Sequence, residues 1–418
     1  MKIDFTNFFA TSGINPENFA GFSAKIPEFL AKIKKRNQGF YQIFEDVDFQ
    51  AEVEEIKKFA QKSREKFTDI VLCGTGGSAL GTLAIQESLL PKIPRNFPRL
   101  HVLENIDAEV IAELTEFLDF SKTLFLIISK SGGTIETISQ YKFFRGILTE
   151  KNLELKNHFV FITGKTGFLR KEAEREGIQT FSVPENIGGR FSVLTAVGLV
   201  SAALMGIDID ELLVGGAEIS RDFQSADFAK NLSFQLALAQ FLALQNGQTQ
   251  NVLMPYSAKM KNFGNWWAQL LAESTGKDGQ GITPIPAQGV TDQHSQLQLF
   301  VDGPADKLVI FMEISRDFSK LRNFPPDKGG LRGVVNSDLK TFEKLMQAEL
   351  RGTAQSLTEK NRPNLTIQVG EISPRNFGKL LMLFMGATAF LGEFMGINAF
   401  NQPGVERGKN LAKKFFLD

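Results

Sequence analysis

Short, nearly uninterrupted apolar runs alternate along this chain with longer stretches in which apolar residues recur every three or four positions. In the first half, TDIVLC (68–73), RLHVLE (99–104), TLFLIIS (123–129), HFVFIT (158–163) and QTFSVP (179–184) read as strands. The spacing between them predicts helices over 78–90, 107–118, 134–149 and 167–176. Strands this apolar have no wet face, so the pattern predicts a mainly parallel sheet covered by helices on both sides. The second half repeats the theme, with strands near 251–256, 307–314 and 365–372 and helices over 227–246, 261–274, 338–358 and 374–395. Two α/β sandwich domains are expected. A helical arm over 1–45 precedes domains over 46–205 and 206–390, and a tail over 391–418 follows them; the internal boundary is placed at MGIDIDELLVGG, around 205–215.

Composition narrows the function classes. Of 418 residues, 47 are Lys or Arg and 47 are Asp or Glu, a balance that excludes an electrostatic nucleic-acid binder. The single cysteine, Cys73, cannot form an internal disulfide, which fits a reducing compartment. Only three histidines are present (His101, His158 and His294), so a multi-histidine zinc site would need nearly all of them and no metal is expected. The N-terminus lacks the basic flank and apolar core of a signal peptide. The uncharged apolar run over residues 191–207 is diluted by Ser192, Thr195, Gly198 and Ser201 and reads as a buried core helix. A cytoplasmic, soluble protein without membrane partners is expected. The 39 Phe beside three Tyr point to a Phe-rich core.

In parallel α/β folds, ligands sit beyond the carboxyl ends of the strands. Two loops there carry candidate chemistry. The first, GTGGSALG (74–81), has glycines that let backbone N–H groups approach an anion, with Gly77 and Ser78 at the entry to the next helix. Alone it also fits a relaxed dinucleotide fingerprint, with Glu104 near the place of a ribose-binding acid, and a glycine-rich packing turn remains open. The second, SKSGGTIET (129–137), gathers Ser129, Lys130, Ser131 and Thr134 within six positions ahead of a helix. Capping accounts for one hydroxyl; three hydroxyls and an ammonium favour a sugar-phosphate cradle over a nicotinamide site. The Thr163–Thr166 segment imitates a nucleotide P-loop but has Phe159 where that motif needs glycine, and it reads as an ordinary strand-to-helix turn.

These two loops, with GGRFSVLTAVGL (188–199), AQLLAESTGK (268–277), GVTDQHSQLQLF (289–300) and QPGVERGKNLAKK (402–414), resemble the glucose-6-phosphate isomerase family, in the family's order from residue 74 to 414. The resemblance implies two sugar-isomerase-type (SIS) three-layer α/β/α sandwich domains. It also implies a homodimer with shared active sites, and interconversion of glucose 6-phosphate and fructose 6-phosphate without metal or other cofactor. A dual glucose/mannose 6-phosphate isomerase and a non-catalytic sugar-phosphate-binding regulator stay open as alternatives, and a dinucleotide-dependent oxidoreductase is more distant.

Moving a carbonyl between C1 and C2 requires a base that takes a carbon-bound proton and returns it to the neighbouring carbon. Glu273 matches the family's base; by itself a lone Glu near a helix end reads as a solvated surface residue. Gln269 stands one helical turn earlier, on the same face. Arg190, after Gly188 and Gly189, matches the arginine that stabilises enediolate charge, although a surface ion pair would account for it equally well. By resemblance, His294 and Lys409 open the sugar ring, with His294 supplied across the dimer interface, and Gln402 is a contact on the phosphate side. Departures from the family's usual residues, at Thr75, Ser131 and Pro403, remove none of these chemical groups.

Overall fold

The computed structural model describes residues 1–92, 97–315 and 341–417. Its strands are β1 (Lys2–Asp4), β2 (Asp69–Cys73), β3 (Arg99–Leu103), β4 (Thr123–Ser129), β5 (Phe159–Thr163), β6 (Gln179–Ser182), β7 (Gln250–Pro255), β8 (Thr283–Pro286), β9 (Lys307–Ile314) and β10 (Asn364–Val369). They form two five-stranded sheets. The first has the order β3-β2-β4-β5-β6 and is parallel throughout. The second has the order β1-β10-β9-β7-β8 and is parallel except for β1. Each half of the chain winds the same way. Its first strand pairs with its second on one side and its third on the other, which creates a switch point between β2 and β4 and another between β7 and β9.

The continuous apolar runs divide by strict alternation. Ile70, Leu72, Leu124, Leu126, Ile128, Val160 and Ile162 face one large core, while Val71, Cys73, Phe125, Ile127, Phe159 and Phe161 face a smaller one with Tyr141, Phe144 and Leu148. The second sheet does the same. Leu253, Leu308, Ile310, Met312, Leu365 and Ile367 join the same large core, and Val252, Met254, Val309 and Phe311 build a third cluster on the outer face. The two sheets therefore share one inner core, filled by helices that include Val47–Lys66, Ala196–Leu204, Ile209–Phe223 and Pro374–Met395.

All eight strands expected from the pattern are present; the largest difference at an end is in β10, which stops at Val369 where the apolar run continues to Ile372. Two short edge strands carry no such pattern. β8 contains Pro284 and Pro286, which suit an edge where donors are not needed. β1 comes from the segment expected to be a helical arm and pairs antiparallel with β10 (Lys2↔Gln368, Asp4↔Thr366), so the N-terminus is stitched to the second sheet ahead of its helices. The helix expected over 338–358 runs Phe342–Glu359, and residues 338–340 lie outside the described residues. The expected boundary near 205–215 falls where Asp208 caps the helix Ile209–Phe223, its carboxylate accepting from the Glu211 N–H. Every residue of Ala196–Leu204 is buried, as its pattern predicts. Pro374–Met395 is long and apolar enough to cross a membrane, yet 89% of its most apolar window is buried inside the protein, where it packs on Ile209–Phe223 and Leu232–Gln245.

Candidate active site

The loops after β2 and β4 meet at the first sheet's switch point, because Cys73 pairs with Ile127 and both strands end there. Gly74 lies so close to its neighbours that an added Cβ would sit 3.0 Å from the Ser78 Cβ and 3.3 Å from the Ile128 carbonyl oxygen, which places Ser78 beside the end of β4. Gly76–Ser78 forms a 3-10 turn and the following helix begins at Leu80, two residues later than the pattern predicts.

In the second loop, the Ser129 Oγ lies 2.8 Å from the Thr134 Oγ1 and 3.4 Å from the Ser131 Oγ. Thr134 is the cap residue of the helix Ile135–Glu150, but its hydroxyl does not cap it. The hydroxyl expected to be consumed by capping is instead part of the cluster, and the helix terminus has no side-chain acceptor of its own. Such a terminus, facing three hydroxyls, is suited to an anion. The P-loop imitation supports this loop from behind: the Gly164 N–H donates to the Lys130 carbonyl (3.1 Å) and the Thr163 Oγ1 to that of Ser129 (2.8 Å).

Lys130 takes a different place from its neighbours. Its ammonium donates to the carbonyls of Glu185 and Ile187, each at 2.8 Å, and burial lowers its pKa. It thus ties the hydroxyl loop to the segment that leads into Gly188-Gly189-Arg190.

Arg190 is held from several sides. Its Nε donates to the Ser274 Oγ (2.8 Å), one terminal nitrogen to the Glu273 carboxylate (3.1 Å) and the Gln402 Oε1 (3.0 Å), and the other to the carbonyls of Ala399 (2.6 Å) and Asn401 (3.1 Å). Phe40, Phe191 and Phe400 pack together with ring centroids 5.0–6.0 Å apart, which draws the 399–402 segment against the arginine. The Arg190 side chain is 2% exposed and that of Glu273 is 32% exposed, so the carboxylate is the part of the pair open to a ligand. Burial lowers the Arg190 pKa and the Glu273 charge opposes that; a guanidinium stays charged at neutral pH.

The helix Lys261–Thr275 presents Gln269 and Glu273 on one face, as their spacing predicts. The Gln269 Nε2 donates to the Glu273 Oε1 (2.9 Å), while the Gln269 Oε1 is buried without a partner among the described residues. The glycine loop reaches this helix and the arginine together. A Cβ on Gly76 would lie 2.9 Å from the Gln269 Nε2, and one on Gly77 would lie 2.4 Å from the Gly189 carbonyl. Glu273, Gln269, Arg190, Gln402 and the glycine loop therefore form one cluster beside the hydroxyl loop.

His294 and Lys409 are not brought into it within this chain. His294 is exposed on the short helix Thr291–His294 after β8. Lys409 lies on the C-terminal helix Pro403–Leu417, where its ammonium is 3.4 Å from Glu406 and every residue whose burial is described is exposed. Two contributors escape a reading of the sequence. Ser274 anchors Arg190 across a separation of 84 residues, which no local pattern signals. Lys277 lies in the AESTGK segment, but nothing in its spacing assigns a role to its side chain.

A protein-family model described as phosphoglucose isomerase matches residues 44–295 and 336–417. A glucose-6-phosphate isomerase of Carboxydothermus hydrogenoformans is 38% identical over 98% of this chain and 93% of its own length. Among solved structures, a hypothetical protein from Thermus thermophilus superposes with a TM-score of 0.88 at 32% identity, covering all of both chains. A glucose-6-phosphate isomerase from Chlamydia trachomatis superposes with a TM-score of 0.84 at 23% identity, covering 97% of this chain and 87% of that one, and so shares the fold.

Proposed function

This chain belongs to the phosphoglucose isomerase family, and on that premise we propose that it interconverts glucose 6-phosphate and fructose 6-phosphate through an enediol. The carrying observation is the pairing of a part-exposed Glu273 carboxylate with the buried Arg190 guanidinium at 3.1 Å, beside a loop of three clustered hydroxyls.

In this reading, Ser78, Ser129, Ser131 and Thr134, with the N-terminus of Ile135–Glu150, hold the phosphate. Lys130 contributes by fixing the segment before Arg190. With the phosphate anchored, C1 and C2 lie against Glu273. The carboxylate removes the proton from C2 of the open-chain aldose, the electrons form the C1–C2 double bond, and the aldehyde oxygen takes up charge and a proton. Return of the carbon-bound proton to C1, with loss of the proton from the C2 hydroxyl, yields the ketose. Arg190, pinned by Ser274, Ala399, Asn401 and Gln402, offers fixed positive charge to the enediolate oxygen with little reorganisation. Gln269 orients the carboxylate.

Ring opening falls to His294 and Lys409. Both are exposed in the single chain, and a homodimer in which His294 comes from a second copy would complete the site. The C-terminal helix, whose Val405, Leu411 and Phe415 are exposed, also gains cover in such an assembly. A cytoplasmic location fits a glycolytic role.

The test is a coupled assay with fructose 6-phosphate in which glucose 6-phosphate formation is measured, with mannose 6-phosphate run alongside. Turnover of fructose 6-phosphate is expected; binding without turnover would favour a regulator and overturn the isomerase reading.

A further inference from the structure

The helix Lys261–Thr275 ends in its last turn on Ala272, Glu273, Ser274 and Thr275, whose carbonyls no later helical residue can satisfy in full. The Gly276 N–H takes the Ala272 carbonyl at 2.9 Å. Lys277 takes the other three: its ammonium donates to the carbonyls of Glu273 and Ser274, each at 2.7 Å, and its backbone N–H to that of Thr275 at 2.9 Å.

The ammonium's return over the helix end is itself built in. Lys277 and Gln280 form an antiparallel bridge, with N–H to carbonyl distances of 3.0 and 2.8 Å, around a two-residue turn in which Asp278 (φ 52°) and Gly279 (φ 73°) both have positive φ. An Asp-Gly pair is the favoured sequence for such a turn. The turn fixes the Lys277 backbone so that its four-carbon side chain folds back onto the helix it follows.

The two carbonyls that receive the ammonium belong to the two residues on which the site depends. Glu273 carries the carboxylate, and Ser274 carries the hydroxyl that holds the Arg190 Nε. We propose that Lys277 is a positioning residue for the isomerisation: by closing the last turn at the carbonyls of Glu273 and Ser274, its ammonium fixes the carboxylate and the arginine in their working geometry. This rests on the isomerase reading above. A cation is also favoured at a helix C-terminus, where the backbone dipoles leave partial negative charge. The charged groups facing Lys277 are Arg190, Glu273 and Asp278. Burial, reinforced by the like charge of Arg190 and opposed by the two carboxylates, brings the ammonium's pKa down to about 8, so the cation is lost within the range where activity can be followed.

The experiment compares wild type, Lys277→Met and Lys277→Arg for fructose 6-phosphate turnover from pH 6 to 10, with circular dichroism to confirm folding. For Lys277→Met, kcat at neutral pH is expected to fall roughly 100-fold, the size of loss that follows a misplacement of about 1 Å, while KM changes by less than about threefold because the phosphate groups lie on other loops. Lys277→Arg keeps a cation at the helix end. It is expected to recover kcat to within about tenfold of wild type and to move the alkaline fall in kcat upward by at least about one pH unit. A folded Lys277→Met protein with kcat within about twofold of wild type overturns the proposal, as does a rise in KM with kcat unchanged. If Lys277→Met does not fold, the alkaline fall decides, and its staying at the same pH in Lys277→Arg overturns the proposal. Wild-type turnover in the same assay separates the two readings: without it the isomerase reading fails, and with it only the role of Lys277 is at stake.

Discussion

Glu273 and Arg190 form an ion pair whose two members differ in exposure. The guanidinium is buried and pinned by five acceptors, while the carboxylate it partners remains open on one side. Glu273→Gln keeps the shape and a hydrogen bond to Arg190 but cannot take a carbon-bound proton. With the fold intact, its kcat is expected to drop by about 10²–10⁴, the range for loss of a positioned general base, and the coupled assay checks this. A wild-type rate in this variant would remove Glu273 from the chemistry. Local spacing made part of the candidate site legible, since Gln269 and Glu273 are one helical turn apart and the three hydroxyls sit within six positions of one loop. Glu273 and Arg190 stood out only through the family resemblance, each reading by itself as an ordinary surface residue. Ser274 and the carbonyls of Ala399 and Asn401 were not legible, because their importance comes from Arg190, far away in sequence. Lys130 has a second set of contacts that its loop does not signal. Its place in a hydroxyl-rich loop reads as a phosphate contact, and its ammonium donates to two backbone carbonyls of a segment distant in sequence.

At the level of elements, the glycine loop after β2 sets how closely the Arg190 segment approaches. Gly77 has no positive φ, so alanine is tolerated by its backbone; the obstacle is space, since an added Cβ would lie 2.4 Å from the Gly189 carbonyl carbon and oxygen and 2.8 Å from the Arg190 N. Gly77→Ala is expected to destabilise the protein by about 1–3 kcal/mol through overpacking and to lower turnover about 100-fold by moving the arginine. Gly146→Ala is the matched control. It lies within the helix Ile135–Glu150 with nothing within 4 Å of the added Cβ, and should stabilise by about 0.5–1 kcal/mol while leaving turnover unchanged. Thermal denaturation and the coupled assay read both. The long strands were plain in the sequence because burial on both faces writes a continuous apolar run. β1 and β8 were not, because three and four residues at a sheet edge carry too little pattern. The same limit hid the helix cap: sequence assigns a hydroxyl to capping by position, and only geometry shows Thr134 turned to Ser129 instead.

For the whole molecule, the strict alternation in both sheets produces one inner core shared between them and a separate cluster on each outer face. Arg190 comes from the segment after β6 of the first sheet, and Glu273 from the helix between β7 and β8 of the second, so the site depends on the docking of the two halves. The Phe-rich composition serves that docking, with Phe40, Phe191 and Phe400 packing beside Arg190 and Phe223, Phe234, Phe390 and Phe394 linking the central helices. Among the described residues of one chain the cluster holds no histidine, and in the proposed homodimer His294 of a second copy supplies one. That arrangement makes the sites separable. Glu273→Gln and His294→Ala homodimers each have a defect at both sites, whereas a mixed dimer has one intact site and one doubly altered site. The decisive measurement is fructose 6-phosphate turnover by an equimolar mixture of the two variants after subunits have been dissociated and reassembled together. Recovery to about one quarter of wild-type activity is expected, since half of the randomly reassorted dimers are mixed and each has one intact site of two. Activity that stays at the mean of the two separate variants, in a mixture shown to contain mixed dimers, would contradict a site built from Glu273 of one copy and His294 of the other.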